Sequence, residues 1–293
     1  MVVQTNELDK RVRNGIVAWE HIDAECADVV EDILATLVPE EPYAYTVSPH
    51  AVSTDDGAPP PRTGSIPQQV LLTTMAGIRS SYENLRRFTA VQGMDAIAEI
   101  RSDWYAFMYG IGEGLVKPTG EIVYSPTAVL FPTMGKQGIT GELFWTRTST
   151  GDPYTGGNTG PLAAETATLA LHKKLVEALR SADAAAVAAM FHPDSQTGVR
   201  DYINETGTLI GLHDREELEA YLRLFFDRFT ILDISVVERL ATDWCVFAEL
   251  RWIVEDSKAG GQKFTFFTAE HGEVRPDGLF ASRIGHGTDL QPV

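Results

Sequence analysis

Apolar side chains return at Leu171, Leu175 and Leu179, a spacing that predicts one face of a helix. Ser181 and Asp183 then precede the alanine-rich run AAAVAAMF and supply N-cap oxygen to a short second helix. Asp214 and Glu217 have capping-box spacing, and the helix they open carries Leu218, Tyr221, Leu222, Phe225, Phe226 and Phe229 as a wide apolar stripe. Beyond it, ILDISVVERLAT, DWCVFAELRWIVED and KFTFFTAEHGEV read as long strands, followed by GLFASRIGHG. Helices first and then an antiparallel meander is an α+β order, and such a sheet curls around its helices to leave a pocket at its open end.

The same pattern occurs twice. Asp103-Trp104-Tyr105-Ala106-Phe107 returns as Asp243-Trp244-Cys245-Val246-Phe247, and the same offset of 140 aligns Ile78, Tyr82 and Leu85 with Leu218, Leu222 and Phe225. Thr127-Ala128 matches Thr268-Ala269, and Gly141-Glu142-Leu143-Phe144 resembles Asp277-Gly278-Leu279-Phe280. Upstream, Ala27-Asp28 matches Ala182-Asp183 at an offset of 155, so the first copy holds extra residues in the Pro- and Gly-rich loop 53–65. The stretch 149–161 has linker composition, and two domains follow, 14–150 and 160–293. The expected fold is a tandem pair of cone-shaped α+β barrels, each with N-terminal helices packed on a curved antiparallel sheet.

Composition narrows the function. With 24 basic and 41 acidic residues the net charge is −17, which disfavours nucleic acid and anionic membrane partners. No apolar run reaches bilayer-spanning length and the N-terminus lacks a signal-type core, so a cytoplasmic location is expected. Cys26 and Cys245 read as two buried thiols on a helix and a strand, and neither cysteine count nor histidine spacing implies a metal.

The segment Ala-Asp-x-x-Ala-x-x-x-x-Phe-His-Pro-Asp from 182 to 194, with Gly211-x-x-Asp214-Arg215-Glu216-Glu217-Leu218 and Asp277-Gly278-Leu279-Phe280, resembles the nuclear transport factor two-like superfamily. Within it the SnoaL-like polyketide cyclases and ketosteroid isomerases are most similar, over residues 165–288 and more weakly over 15–148. The resemblance implies a general base near Asp201 and a carboxylic acid at Glu270. The helix position that carries a tyrosine in the isomerases falls near Leu175, leaving Tyr202 or Tyr221 to supply a hydroxyl.

Strand parity puts Glu270 on one face with Phe264, Phe266 and Thr268. It either points inward, where desolvation would raise its pKa, or outward near the strand end. Glu249 and Arg251 share a face and either join Glu270 in an acid-arginine-acid cluster resembling that of limonene epoxide hydrolases or form a surface salt bridge. His172 adjoins the first apolar stripe as a pocket or boundary residue, while His192, Asp194, His213 and His271 read as structural or exposed. In the first copy Val129 and Ile111 stand where Glu270 and Arg251 do in the second. Tyr43, Tyr45, His50, Tyr105, Tyr109 and Glu113 either line a cavity there or belong to its core, and the first copy is read as a degenerate support.

The expected activity is a cofactor-independent acid-base enzyme, a cyclase, isomerase or dehydratase, acting on an apolar polyketide-, terpenoid- or steroid-like molecule. Glu270 and Asp201 would exchange the protons, and Tyr202, Tyr221, Phe264, Phe266 and His172 would line the site. The alternatives are water activation on an epoxide through Glu249, Arg251 and Glu270, and a non-catalytic small-molecule binding protein. The chain would be a monomer with an internal pseudo-dimer, or a homodimer.

Overall fold

The computed structural model describes residues 7–47, 69–147, 161–204 and 206–293. The loop at 53–65, His50 and the linker at 149–160 lie outside them. The chain divides into two compact units, Met1–Tyr154 and Thr155–Val293. Among the described residues no helix is long and apolar enough to cross a membrane.

In the first unit, helices α1 (Glu7–Cys26) and α2 (Val30–Ala35) precede β1 (Ala44–Val47) and β2 (Val70–Leu72). Then come α3 (Met75–Leu85), β3 (Thr89–Arg101), β4 (Tyr105–Val116), β5 (Glu121–Pro132) and β6 (Gly141–Thr146). The strands form one sheet in the order β2-β1-β6-β5-β4-β3.

The second unit repeats this plan with α4 (Pro161–Arg180), α5 (Ala184–Ala188), β7 (Phe191–Arg200), β8 (Leu209–Leu212) and α6 (Arg215–Arg228). Four long strands follow, β9 (Phe229–Ala241), β10 (Cys245–Asp256), β11 (Gln262–Glu273) and β12 (Phe280–Gly287), with a short β13 (Gln291–Pro292) against β11. Its sheet order, β8-β7-β12-β11-β10-β9, is that of the first unit.

Both sheets depart from the expected purely antiparallel form at one pair. β1 runs parallel to β6, and β7 parallel to β12, because the last strand of each meander returns beside the first strand in the same direction. Two predicted caps are present, Asp183 accepting from Ala186 N–H and Asp214 from Glu217 N–H at 2.7 Å, whereas the Ser181 hydroxyl donates back to Glu177 O instead of capping. Glu217 in turn accepts from the His213 N–H at 2.8 Å, so the box closes one residue outside the cap. Turn geometry corrects the repeat alignment by one residue. Asp28 and Ala182 both have positive φ, 56° and 52°, directly after α1 and α4, so Glu25 corresponds to Leu179 and His21 to Leu175.

The inner faces of the two sheets differ in what fills them. In the second unit Ala248, Leu250, Trp252 and Val254 of β10 belong to the core with Leu222, Phe225 and Phe266. Trp252 stands opposite Phe266, and the rings stack with centroids 5.6 Å apart at 8°. The corresponding face of β4 carries Gly110, Gly112 and Gly114, opposite Thr127, Ser125 and Val123. Gly110 is required by the backbone, since a Cβ there would lie 2.1 Å from Asp95 O beside a bulge of β3. Gly112 and Gly114 have no contact that close, and their effect is to leave volume. Removing the filler from the second unit should therefore be expensive: Trp252→Ala is expected to cost about 3–5 kcal/mol, checked by urea unfolding followed by circular dichroism.

Candidate functional site

Register decides the orientation of the second-unit candidates. Glu270 pairs with Ala248, so it lies on the inner face, whereas Glu249 pairs with Ala269 and Arg251 with Phe267 on the opposite face. The proposed acid-arginine-acid cluster is therefore not assembled, because the alternation of the strand turns Glu249 and Arg251 away from Glu270. Glu270 instead accepts from the Arg283 guanidinium at 2.6 Å, both side chains being buried. His271 has the outward parity expected of it.

Asp201 closes a turn. Its carboxylate accepts from Ile203 N–H at 2.9 Å, Asn204 N–H at 3.0 Å and Asn204 Nδ2 at 2.9 Å, with Thr206 at 3.4 Å. Burial alone would raise its pKa, but these bonds to Asn204, Ile203 and Thr206 outweigh it and hold the group below the ordinary value. A carboxylate so occupied is a poor base. Tyr202 donates to Thr288 O at 2.9 Å and Tyr221 to Arg200 O at 3.1 Å, so both hydroxyls are engaged by backbone. Phe266 is part of the packed core, while Phe264, half-buried against it, lines a second-unit pocket of about 440 Å³ together with Asp201 and Tyr202. His172 is buried with both ring nitrogens lacking a protein partner, and burial, with the charges of Arg239 and Arg283, pushes its pKa down to about 3.

The first unit holds a mostly apolar pocket of about 470 Å³, open to one side, between α1, α2, α3 and the inner face of the sheet, within the range of small-molecule sites. Its walls are mostly apolar, with Ile22, Met94, Val123, Val129 and Phe131 among them, and include Gly112, Glu113 and Gly114. One wall is polar: Glu25, Tyr45, Tyr82 and Glu142. Tyr45 and Glu142 are direct partners across β1 and β6, Glu25 is one turn beyond His21 on α1, and Tyr82 comes from the apolar stripe of α3. Tyr43, by contrast, spends its hydroxyl on Val38 O.

These side chains form a directed chain of hydrogen bonds. Thr36 Oγ1 donates to Ile33 O at 2.6 Å and so accepts from His21 Nδ1–H, also at 2.6 Å. That fixes the tautomer and turns Nε2 toward Tyr45 Oη at 3.1 Å and Glu142 Oε2 at 3.6 Å. Tyr45 and Tyr82 share a short hydroxyl-hydroxyl bond, and Tyr82 donates to Glu25 Oε1 at 2.5 Å. Burial of Glu25, reinforced by the neighbouring Glu142 charge and only partly offset by His21 and Tyr82, pushes its pKa up to about 7. For His21 burial opposes the charged ring, but the Glu142 hydrogen bond and the two carboxylates outweigh it and raise the pKa. Both phenols are raised, chiefly by burial, and remain neutral donors.

Sequence reasoning passed over His21, Glu25, Tyr82 and Glu142. Their signal was the contrast between copies: Leu175, Leu179, Leu222 and Arg283 stand at the matching places of the second unit, and glycines replace its large β10 side chains.

The two units should respond to pH with opposite sign. Glu25 and His21 bind protons more tightly folded than unfolded, so their contribution is fully present at low pH and is lost as pH rises through neutrality. His172 and His286, the latter lowered to about 4 chiefly by burial, contribute above pH 6.5 and lose that contribution as pH falls. Thermal unfolding between pH 4.5 and 8.5 is expected to show Glu25→Gln flattening the alkaline loss and His172→Leu flattening the acid loss.

The SnoaL-like domain family model matches residues 172–283. A search of curated proteins finds no match. Among solved structures, the chain is similar to a limonene epoxide hydrolase-like (LEH-like) enzyme of Mycobacterium tuberculosis at 15% identity and TM-score 0.35, over 42% of this chain and 84% of that one. It is similar to a hypothetical protein of ketosteroid isomerase-like fold from Catenulispora acidiphila at 11% identity and TM-score 0.34, over 39% and 82%. A third is RV0760c of M. tuberculosis in complex with estradiol-17β-hemisuccinate, at 14% identity and TM-score 0.35, over 41% and 92%. The family likeness of this chain thus rests on residues 172–283, which match the SnoaL-like domain model.

Proposed function

We propose that the protein is a cofactor-independent acid-base enzyme for an apolar small molecule, and that its working pocket is in the first unit. The observation that carries this reading is the apolar cavity of about 470 Å³ with two carboxylates, two phenols and a histidine bonded together at one wall. A substrate carbonyl at that wall would accept the Tyr82 hydroxyl proton in place of Glu25, with Tyr45 donating to Tyr82 behind it, which lowers the cost of enolate charge. Glu142 would take a proton from the adjacent carbon, and Glu25, with a pKa near 7, would return one to the product carbon or a leaving hydroxyl. Isomerisation, dehydration and aldol-type cyclisation all need this pair of transfers. The second unit, with its filled core and its Glu270–Arg283 pair, is a scaffold in this reading.

A panel of β,γ-unsaturated cyclic ketones, followed by ultraviolet absorbance, tests the assignment. Glu25→Gln and Glu142→Gln are expected to lower kcat by about 10²-fold or more while the ligand still binds. Glu270→Gln should leave kcat within about twofold in protein that remains folded. Turnover that survives both first-unit changes but fails with Glu270→Gln would return the chemistry to the second unit. Gly114→Leu projects into the cavity from a position where a Cβ meets nothing closer than 3.9 Å. It is expected to weaken ligand binding at least about tenfold with little loss of stability, read by fluorescence titration and thermal melting.

A further inference from the structure

We propose that His21, Glu25 and Glu142 also form a site for a divalent transition metal of the Zn²⁺ class, and that metal there switches off the acid-base chemistry of the pocket. The switch rests on the function proposed above, whereas the metal site itself does not. One ligand atom from each of the three residues lies within 4.8 Å of the others. His21 Nε2 is 3.6 Å from Glu142 Oε2 and 4.0 Å from Glu25 Oε1. Donors bound at about 2.0–2.2 Å around a tetrahedral ion stand roughly 3.3–3.6 Å apart, so small side-chain rotations close the site.

Two independent features favour a cation. The first is orientation. Thr36 holds Nδ1–H of His21, so the nitrogen able to shed its proton is the one aimed at the carboxylates, and metal-binding histidines are likewise oriented by a hydrogen bond from the other ring nitrogen. The second is charge. Among the described residues the only basic side chain within 4.0 Å of Glu25 or Glu142 is His21, although the side chains are only 13% and 11% exposed. Two poorly solvated carboxylates must be neutralised by protons or by a cation. A mixed nitrogen and oxygen donor set suits Zn²⁺ or Mn²⁺ better than Cu⁺ or Ca²⁺, and the cavity side leaves room for a fourth ligand. Binding exchanges protons for metal. Whatever protons Nε2 and Glu25 carry pass to solvent as Zn²⁺ takes their place, while Nδ1–H continues to donate to Thr36.

The test uses full-length protein stripped with EDTA and titrated with Zn²⁺ alone, in competition with a chromophoric chelator and by calorimetry in two buffers of different ionisation enthalpy. One equivalent is expected to bind tighter than about 10 µM at pH 7.5, with one to two protons released and affinity falling at least about tenfold per unit of acidification. Glu142→Gln and His21→Gln should each weaken it at least tenfold, and Thr36→Val by about tenfold. Stoichiometric binding unchanged by Glu142→Gln, or no binding at this strength, overturns the site. Should those variants fail to fold, Co²⁺ added to the wild type decides the matter: visible d–d bands that Zn²⁺ displaces support the site, and their absence overturns it. Turnover that persists with the site full of Zn²⁺ overturns the switch alone. The effect of Glu25→Gln on metal-free turnover judges the acid-base function separately.

Discussion

A sheet that curls around helices encloses a volume that has to be filled or lined, and the inner face of its longest strands decides which. In the second unit Leu250, Trp252, Val254 and Phe266 meet Phe225 and Leu222, so the space is closed by dispersion contacts and apolar burial. In the first unit the same strand positions carry Gly112 and Gly114 opposite Ser125 and Val123, and the space remains. Everything chemical in the first unit depends on this difference, because carboxylates and phenols at the wall of a filled cone would meet only hydrocarbon.

The cavity in turn sets the electrostatics. Beside an apolar void, Glu25 is poorly solvated, and its neighbour Glu142 adds like charge rather than relief. Protonation of Glu25 is favoured for that reason, and hydrogen bonds link Thr36 through His21, Tyr45 and Tyr82 to Glu25. The second unit balances its interior differently: Glu270 is held by Arg283, and His172 stays neutral beside two guanidinium groups. The two interiors are built on one topology with opposite polar solutions.

Much of the fold was legible in the sequence. Helix stripes such as Leu171, Leu175 and Leu179, the capping box at Asp214, and the repeated Asp-Trp strand starts mark elements that the structure contains. The parallel pairing of first and last strands was not legible, because a single strand's pattern carries no direction. The orientation of the second-unit candidates was not legible for a related reason. Parity placed Glu249 and Arg251 together but could not say which face was concave, and Asp201 took its role from a resemblance while its turn partners, Ile203 and Asn204, were invisible. His21 and Glu25 share a helix face with Val17 and Ile22 on a helix to which no chemistry was assigned, and Tyr82 was read only as part of an apolar stripe. Their function emerges only where separate elements converge.

The glycines of β4 are not equivalent, and the difference bears on how such a pocket can change. Gly110 is locked, since any side chain would strike the backbone of β3 at Asp95. A Cβ on Gly112 would come nearest to Thr127 Oγ1 at 3.2 Å, and one on Gly114 would meet nothing nearer than Ala90 O at 3.9 Å. Pocket depth is thus adjustable at two positions that the strand pairing does not need, by changes as small as one methyl group. The size of such a pocket can drift by single substitutions that leave the sheet intact, while the polar wall at Glu25 and Glu142 stays fixed.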